Sequence, residues 1–206
     1  MIGNDIISTN DIDNLKSFSN QRFLNKSFTE KELFYIKKSN CINIALLFWT
    51  IKESAYKTMV KLGCKKLFCP IKIEIELKNF QLNQQIFFNL TYKDNLIAVK
   101  TLQTPNYIHS ISTVDVHELN RTKFRVLKIN SKNTEVQSRQ IRESFIYNYA
   151  KSLALSIDDI TIHSDFYTGI PSVSCQGQDC PIDLSFSHDG FHIAYAYSDS
   201  SFSVLK

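Results

Sequence analysis

The sequence predicts an α+β fold, and three observations carry that prediction. Residues 42–62, INIALLFWTIKESAYKTMVKL, form a long helical stretch with Gly63 placed to end it. In residues 71–78, Ile71, Ile73, Ile75 and Leu77 alternate with Lys72, Glu74, Glu76 and Lys78, which is the period of a half-buried strand. Elsewhere helical and extended patterns mix without the regular alternation that builds a parallel sheet. The chain of 206 residues, 43% apolar and 12% aromatic, is large enough to bury a core, which excludes a disordered chain. It has only 5 Gly and 4 Pro, and neither a GxGxxG nor a P-loop pattern, so glycine-fingerprint nucleotide folds are excluded as well.

The elements follow in order. Ile2, Ile6 and Ile7 around Gly3-Asn4-Asp5 predict a strand at the N-terminus. Ile12, Leu15 and Phe18 stand at helical spacing. Thr29 with Glu32 three residues later reads as a reciprocal helix cap, and the apolar stripe of Leu33 and Ile36 follows it. QIFFNLTY and NLIAVKTL flank Lys93-Asp94-Asn95 as a hairpin candidate, and IHSISTVDVHEL reads as a further strand. Residues 117–137 are polar and predict a connection. A second helix is expected over 137–155, with apolar residues at Ile141, Phe145, Tyr149 and Leu153. Strands around 182–187 and 191–197 close the chain, after a turn at Thr168-Gly169-Ile170-Pro171.

Net charge is +4, too sparse for a dedicated nucleic-acid surface. The five cysteines include two Cys-x4-Cys pairs, Cys64/Cys69 and Cys175/Cys180; zinc sites favour tighter pairs, so reduced thiols are expected. The N-terminus is polar and acidic, unlike a signal peptide. No apolar run approaches the roughly 18 residues of a membrane span. The expectation is a cytoplasmic protein with no membrane or nucleic-acid partner.

Three local patterns bear on chemistry: Gly3-Asn4-Asp5, Trp49-x-x-Lys52-Glu53-Ser54-x-x-Lys57, and Ser185-x-Ser187-His188. Each has an ordinary reading. Asp5 suits a strand end, and Trp49 suits a core. Glu53 and Lys57 suit a solvated i,i+4 pair worth a few tenths of a kcal/mol. His188 suits a satisfied polar position. Together, with Arg22-Phe23 and Phe28-Thr29-x-x-Glu32 between the first two, they resemble the 4′-phosphopantetheinyl transferase superfamily.

The resemblance implies Mg²⁺-dependent transfer of the phosphopantetheine arm of coenzyme A, the co-substrate, to a serine of an apo acyl or peptidyl carrier protein. It assigns Asp5 and Glu53 to the metal, and Glu53 and Lys57 to catalysis. It assigns Lys52, Lys57, Arg139, Arg142, Ser187 and His188 to coenzyme A. Two positions depart from larger family members: Ile7 stands where a third acidic ligand is often found, and Ile170 where a Gly-Lys-Pro lysine helps bind coenzyme A. A water would fill the first position, and the second charge would have to come from elsewhere.

The motif order is that of the short synthases, in a chain nearly as long as the larger, tandem type. It implies two related halves, residues 1–85 with the metal and Lys-Glu motifs and 86–206 with the Ser-His motif. Each half would be a small antiparallel sheet packed with helices, and the pair a pseudo-dimer active as a monomer. The runner-up is a trimeric short-type synthase with a long insertion. A catalytically silent coenzyme A- or carrier-binding protein is the alternative to an enzyme.

Overall fold

The computed structural model describes residues 1–77, 85–92 and 95–199. Strand β1 (Ile2–Ser8) opens the chain, followed by helices α1 (Ile12–Phe18), α2 (Gln21–Ser27), α3 (Glu30–Ser39) and α4 (Ile42–Lys61). Asp11, Asn20 and Thr29 each accept a hydrogen bond from a first-turn N–H, and Thr29 and Glu32 form the reciprocal cap read from the sequence. After α4, Gly63 takes φ +86°; its N–H donates to Val60 O and that of Cys64 to Met59 O. This is the left-handed stop that only a residue without a Cβ adopts freely.

Strands β2 (Glu74–Ile75), β3 (Gln85–Tyr92), β4 (Asn95–Gln103) and β5 (Tyr107–Thr113) join β1 in an antiparallel sheet ordered β1-β5-β4-β3-β2. Over 71–77 the expected strand shrinks to Glu74–Ile75, because Pro70 opens a 3₁₀ turn through Lys72; Lys78 lies outside the described residues. The hairpin of β3 and β4 forms as expected, but Lys93 and Asp94 of its turn lie outside the described residues. A division near residue 85 would cut this sheet between β2 and β3; the sheet runs on to Thr113.

The remainder is α5 (Val116–Arg121), β6 (Lys123–Lys128), α6 (Thr134–Leu153), β7 (Ile160–Ser164), β8 (Pro171–Cys175), β9 (Gln178–Asp179), β10 (Ile182–Asp189) and β11 (His192–Asp199). They form two small sheets, β10-β11-β6 and β7-β8-β9. The expected polar connection over 117–137 instead contains α5 and β6. Among the described residues strand β6 pairs on one side only, with β11, and it leaves Lys123, Phe124 and Arg125 exposed, so its sequence carries little apolar signal. Cys175 and Cys180 are joined in a disulfide across the β8–β9 turn, not reduced as expected, with Cα atoms 6.0 Å apart; Cys41, Cys64 and Cys69 are free. The whole is a mixed α+β architecture. No helix among the described residues is long and apolar enough to cross a membrane.

Two larger cores result, one centred on α4 (Leu46, Phe48, Ile51) and the other on α6 (Ile141, Phe145), with a small third cluster of Ile2, Ala98, Ile111, Leu119 and Ala196. The two larger cores meet along β1, which among the described residues has a sheet neighbour on one side only, β5. An unpaired strand edge leaves N–H groups that need partners. Side chains of β10 supply them: Asp183 accepts from Ile2 N–H, Ser185 Oγ from Asn4 N–H at 3.0 Å, and Asp189 Oδ2 from Ser8 N–H at 2.7 Å. The alternating polar residues of IDLSFSHD are therefore an edge cap for β1. Ile6 is the exception, since its N–H turns to the carboxylate of Asp5.

Candidate active site

The site opens at that exception. Helix α4 can lie directly on β1 because residue 3 is glycine: a Cβ there would stand 2.0 Å from Ser54 O and 2.8 Å from Thr58 N. The close approach brings Lys57 to the next strand residue. Its Nζ donates to Asn4 O at 2.8 Å and to Asp5 Oδ1 at 3.0 Å. Glu53, one turn earlier, faces the same space, a cleft of about 370 Å³ that Asn14, His188 and Asp189 also line. Phe18, Phe23 and Trp49 form its apolar wall, with ring centroids 5.1–5.6 Å apart.

The electrostatics of this cleft are unbalanced. Burial, and then the neighbouring Asp5 carboxylate, push the Glu53 carboxyl up to about 7. Burial also raises Asp5, an effect that the Lys57 ion pair opposes and Asp189 reinforces. Asp189 is raised by burial, although Ser8 N–H and Asn14 Nδ2 donate to it. His188 is lowered, first by desolvation and then by the positive charge of Lys57.

A second cleft of about 270 Å³, lined by Lys57 among others, lies between α4, α6 and the turn before β8. Tyr56, Arg142, Ile170 and Phe186 are among its walls. Arg142 lies over the Phe186 ring, 5.3 Å from its centroid, and donates from Nη1 to Ser138 O at 2.9 Å.

Of the residues expected at the site, the structure brings Asp5, Glu53 and His188 to the first cleft, and Lys57, ion-paired to Asp5, and Arg142 to the second. Three do not arrive. Lys52 is fully buried on another face of α4, where its Nζ donates to Glu32 Oε2 at 2.6 Å, to Pro70 O at 2.9 Å and to Ser27 O at 3.2 Å. Neighbours on a helix are about 100° apart, and here that angle separates a core ion pair from the cleft. Arg139 is exposed and faces Glu143 one turn on, at 3.7 Å. Ser187 is buried, and its hydroxyl donates to Asn4 Oδ1 at 2.5 Å, not into either cleft. Sequence reading missed Asp189, Asn14 and Tyr56. For Asp189 the signal was the alternation Asp183-x-Ser185-x-Ser187-x-Asp189.

Glu53 and Asp5 are the groups able to hold a metal. Two buried carboxylates in an open polar cleft, one of them raised by the other, suit a hard cation that keeps waters and phosphate oxygens as its other ligands. Among the described residues no group of three His, Cys, Asp or Glu forms a cage of its own.

Paired carboxylates border the first cleft, and the second holds Lys57 and Arg142, an arginine with no carboxylate within ion-pair distance among the described residues. The family model of the 4′-phosphopantetheinyl transferase superfamily matches residues 1–112, over half of the chain, and the chain belongs to that superfamily of transferases. No curated protein and no solved structure matches it.

Proposed function

We propose that the protein transfers the phosphopantetheine arm of coenzyme A to a serine hydroxyl of an apo carrier protein. The observation that carries this reading is the Asp5–Glu53–Lys57 cleft, in which Glu53 holds its proton to about pH 7. Asp5 and Glu53 would hold Mg²⁺. When bound, it would neutralise charge on the pyrophosphate, the main demand of phosphoryl transfer.

The chain's own groups do the rest. Lys57 lines the second cleft and is ion-paired to Asp5 of the first, so its ammonium can neutralise a phosphate oxygen of a ligand that spans them. His188, exposed at the rim, can donate to another. The serine oxygen forms a bond to the pantetheine-bearing phosphorus. The bond from that phosphorus to the bridging oxygen breaks, and adenosine 3′,5′-bisphosphate leaves. Glu53 is the carboxylate placed to receive the serine proton.

We further read the chain as two related halves forming one intrachain site. In each half a 20-residue helix, α4 or α6, follows a first strand that pairs antiparallel with the half's last strand, β1 with β5 and β6 with β11. This supports a pseudo-dimer active as a monomer.

Incubation with coenzyme A, Mg²⁺ and a panel of apo carriers, read by intact mass, tests the reaction. One carrier should gain a single phosphopantetheine. No gain on any carrier, with coenzyme A still bound, would favour a silent binding protein. Mixing Asp5→Ala with His188→Ala tests the site. Restored activity would mean that sites are shared between subunits.

A further inference from the structure

We propose that Asn4 is a positioning residue for the reaction: its side-chain amide, bonded to Ser187, holds Asp5 of β1 in line with His188 of β10. The chemistry it serves rests on the function proposed above, whereas the alignment rests on the geometry alone.

Strands β1 and β10 pack together but belong to different sheets, and among the described residues they exchange no backbone hydrogen bond. Their register therefore depends on side chains. Asp183, Ser185 and Asp189 each take one N–H of β1, at Ile2, Asn4 and Ser8. By the same alternation Ser187 would take the N–H of Ile6, but that N–H is turned to Asp5. Ser187 Oγ donates instead to Asn4 Oδ1 at 2.5 Å. This bond ties the two strands at the level of the first cleft.

Alternation carries the tie to the reacting groups. Neighbours in a strand point to opposite faces. Asn4 and Ser187 are buried, 0% and 4% exposed, while Asp5 and His188 beside them line the cleft. Fixing the buried pair thus fixes the cleft pair.

The amide sits there at the expense of local satisfaction. Asn4 Nδ2 and His109 Nδ1 are buried with no hydrogen-bond partner among the described residues. A leucine of nearly the same shape at residue 4 would bring no unpaired donor of its own. What the amide adds is its oxygen, which also accepts from His109 Nε2 at 3.2 Å. Burial, and then the positive charge of Lys57, lower His109 to about 3, so its ring is neutral and donates from Nε2. The two donors tie different things. His109 lies on β5, which the backbone ladder already holds in register with β1, His109 opposite Ile6. Ser187 lies on β10, where no ladder does that work. A broken local rule in a core is expected where function requires it.

Ser187→Ala and His109→Leu cut the two ties separately. Each leaves the amide short of a partner, so each should lower the melting temperature by about 3–6 °C. Only Ser187→Ala should slow carrier modification, with kcat down about 10²-fold and the Kd of coenzyme A changed less than about threefold, because misplacement costs turnover more than binding. Asn4→Leu cuts both ties and should match Ser187→Ala in turnover. The alignment is also read without turnover. Mn²⁺ bound at Asp5 and Glu53 broadens nearby proton signals; the His188 ring signal should broaden strongly in wild type and His109→Leu, and less in Ser187→Ala. Equal broadening in all three, equal loss of turnover in Ser187→Ala and His109→Leu, or full turnover in Ser187→Ala or Asn4→Leu overturns the proposal. So does coenzyme A binding that falls in step with kcat, which would make Ser187 a ligand contact. A wild type that modifies no carrier yet shows the expected broadening brings down the function and leaves the alignment standing.

Discussion

Lys52 and Glu53 are adjacent in the chain and sit on the same helix, yet their surroundings are opposite in kind. Lys52 is sealed in the first core, where Glu32 and two carbonyl oxygens answer all three of its donors. Glu32 in turn accepts from Thr29 N–H and Ile75 N–H, so the pair ties α3, α4 and the 70–75 turn together. Glu53 faces a cleft in which the nearby carboxylate repels it and one lysine serves both acids. A charge that is fully answered locks structure. A charge left partly unanswered has affinity to spare for a cation or a proton, and that makes it chemically useful.

The sharpest way to break this contrast is at Lys52. Lys52→Ala strands Glu32 without its cation, and unfolding in urea should reveal a loss of about 3–5 kcal/mol. The affinity of the folded protein for coenzyme A should not change. A stable variant with weakened coenzyme A binding would reverse the assignment.

At the other residue the effect moves from stability to turnover. Asp5→Asn and Glu53→Gln should each lower carrier modification about 10²- to 10³-fold, as removing one transition-state stabiliser does. Retained turnover in either variant would show that the carboxylates are ornamental. Gly3→Ala examines what holds both residues in place. It forces a Cβ into the backbone of α4, and a cost of about 3 kcal/mol should appear in the denaturant midpoint.

A smaller effect follows from proton linkage at Glu53. Its pKa is higher in the folded protein than the ordinary glutamate value, so proton uptake stabilises the fold. That gain is complete below the unfolded pKa and is lost as pH rises through about 7. In chelator at pH 8, Glu53→Gln should therefore melt higher than wild type, and the gap should close as the pH is lowered from about 7 toward the usual glutamate range. Adding Mg²⁺ at pH 8 should raise the wild-type melting temperature and leave the variant unmoved. Least of all, Arg139→Ala should change stability by less than about 0.5 kcal/mol, since its partner is an exposed Glu143. Coenzyme A binding should stay level, in contrast to a loss in Arg142→Ala.

Local chemistry was legible wherever a short stretch of chain determines the outcome. The Thr29–Glu32 cap, the stop at Gly63 and the one-turn spacing of Glu53 and Lys57 depend on residues within a few positions, and the sequence alone specified them. The same holds for the strand around Asp5 and for the α+β class. Direction was not legible. Lys52 and Ser187 belong to the right motifs, but which way each points depends on Glu32 and Asn4, partners 20 and 183 residues away. Strand β6 shrank from view because an edge strand needs only one neighbour, and that neighbour, β11, lies far along the chain. Asp189 and Lys66 became visible as cleft residues only once β10 and the 165–169 turn were laid against β1 and α4. The sequence by itself thus determined the helix caps, the pairing of Glu53 with Lys57 and the superfamily. Tertiary structure alone decided which charges are answered and which are left for a ligand, because compensation depends on distance in space and not along the chain.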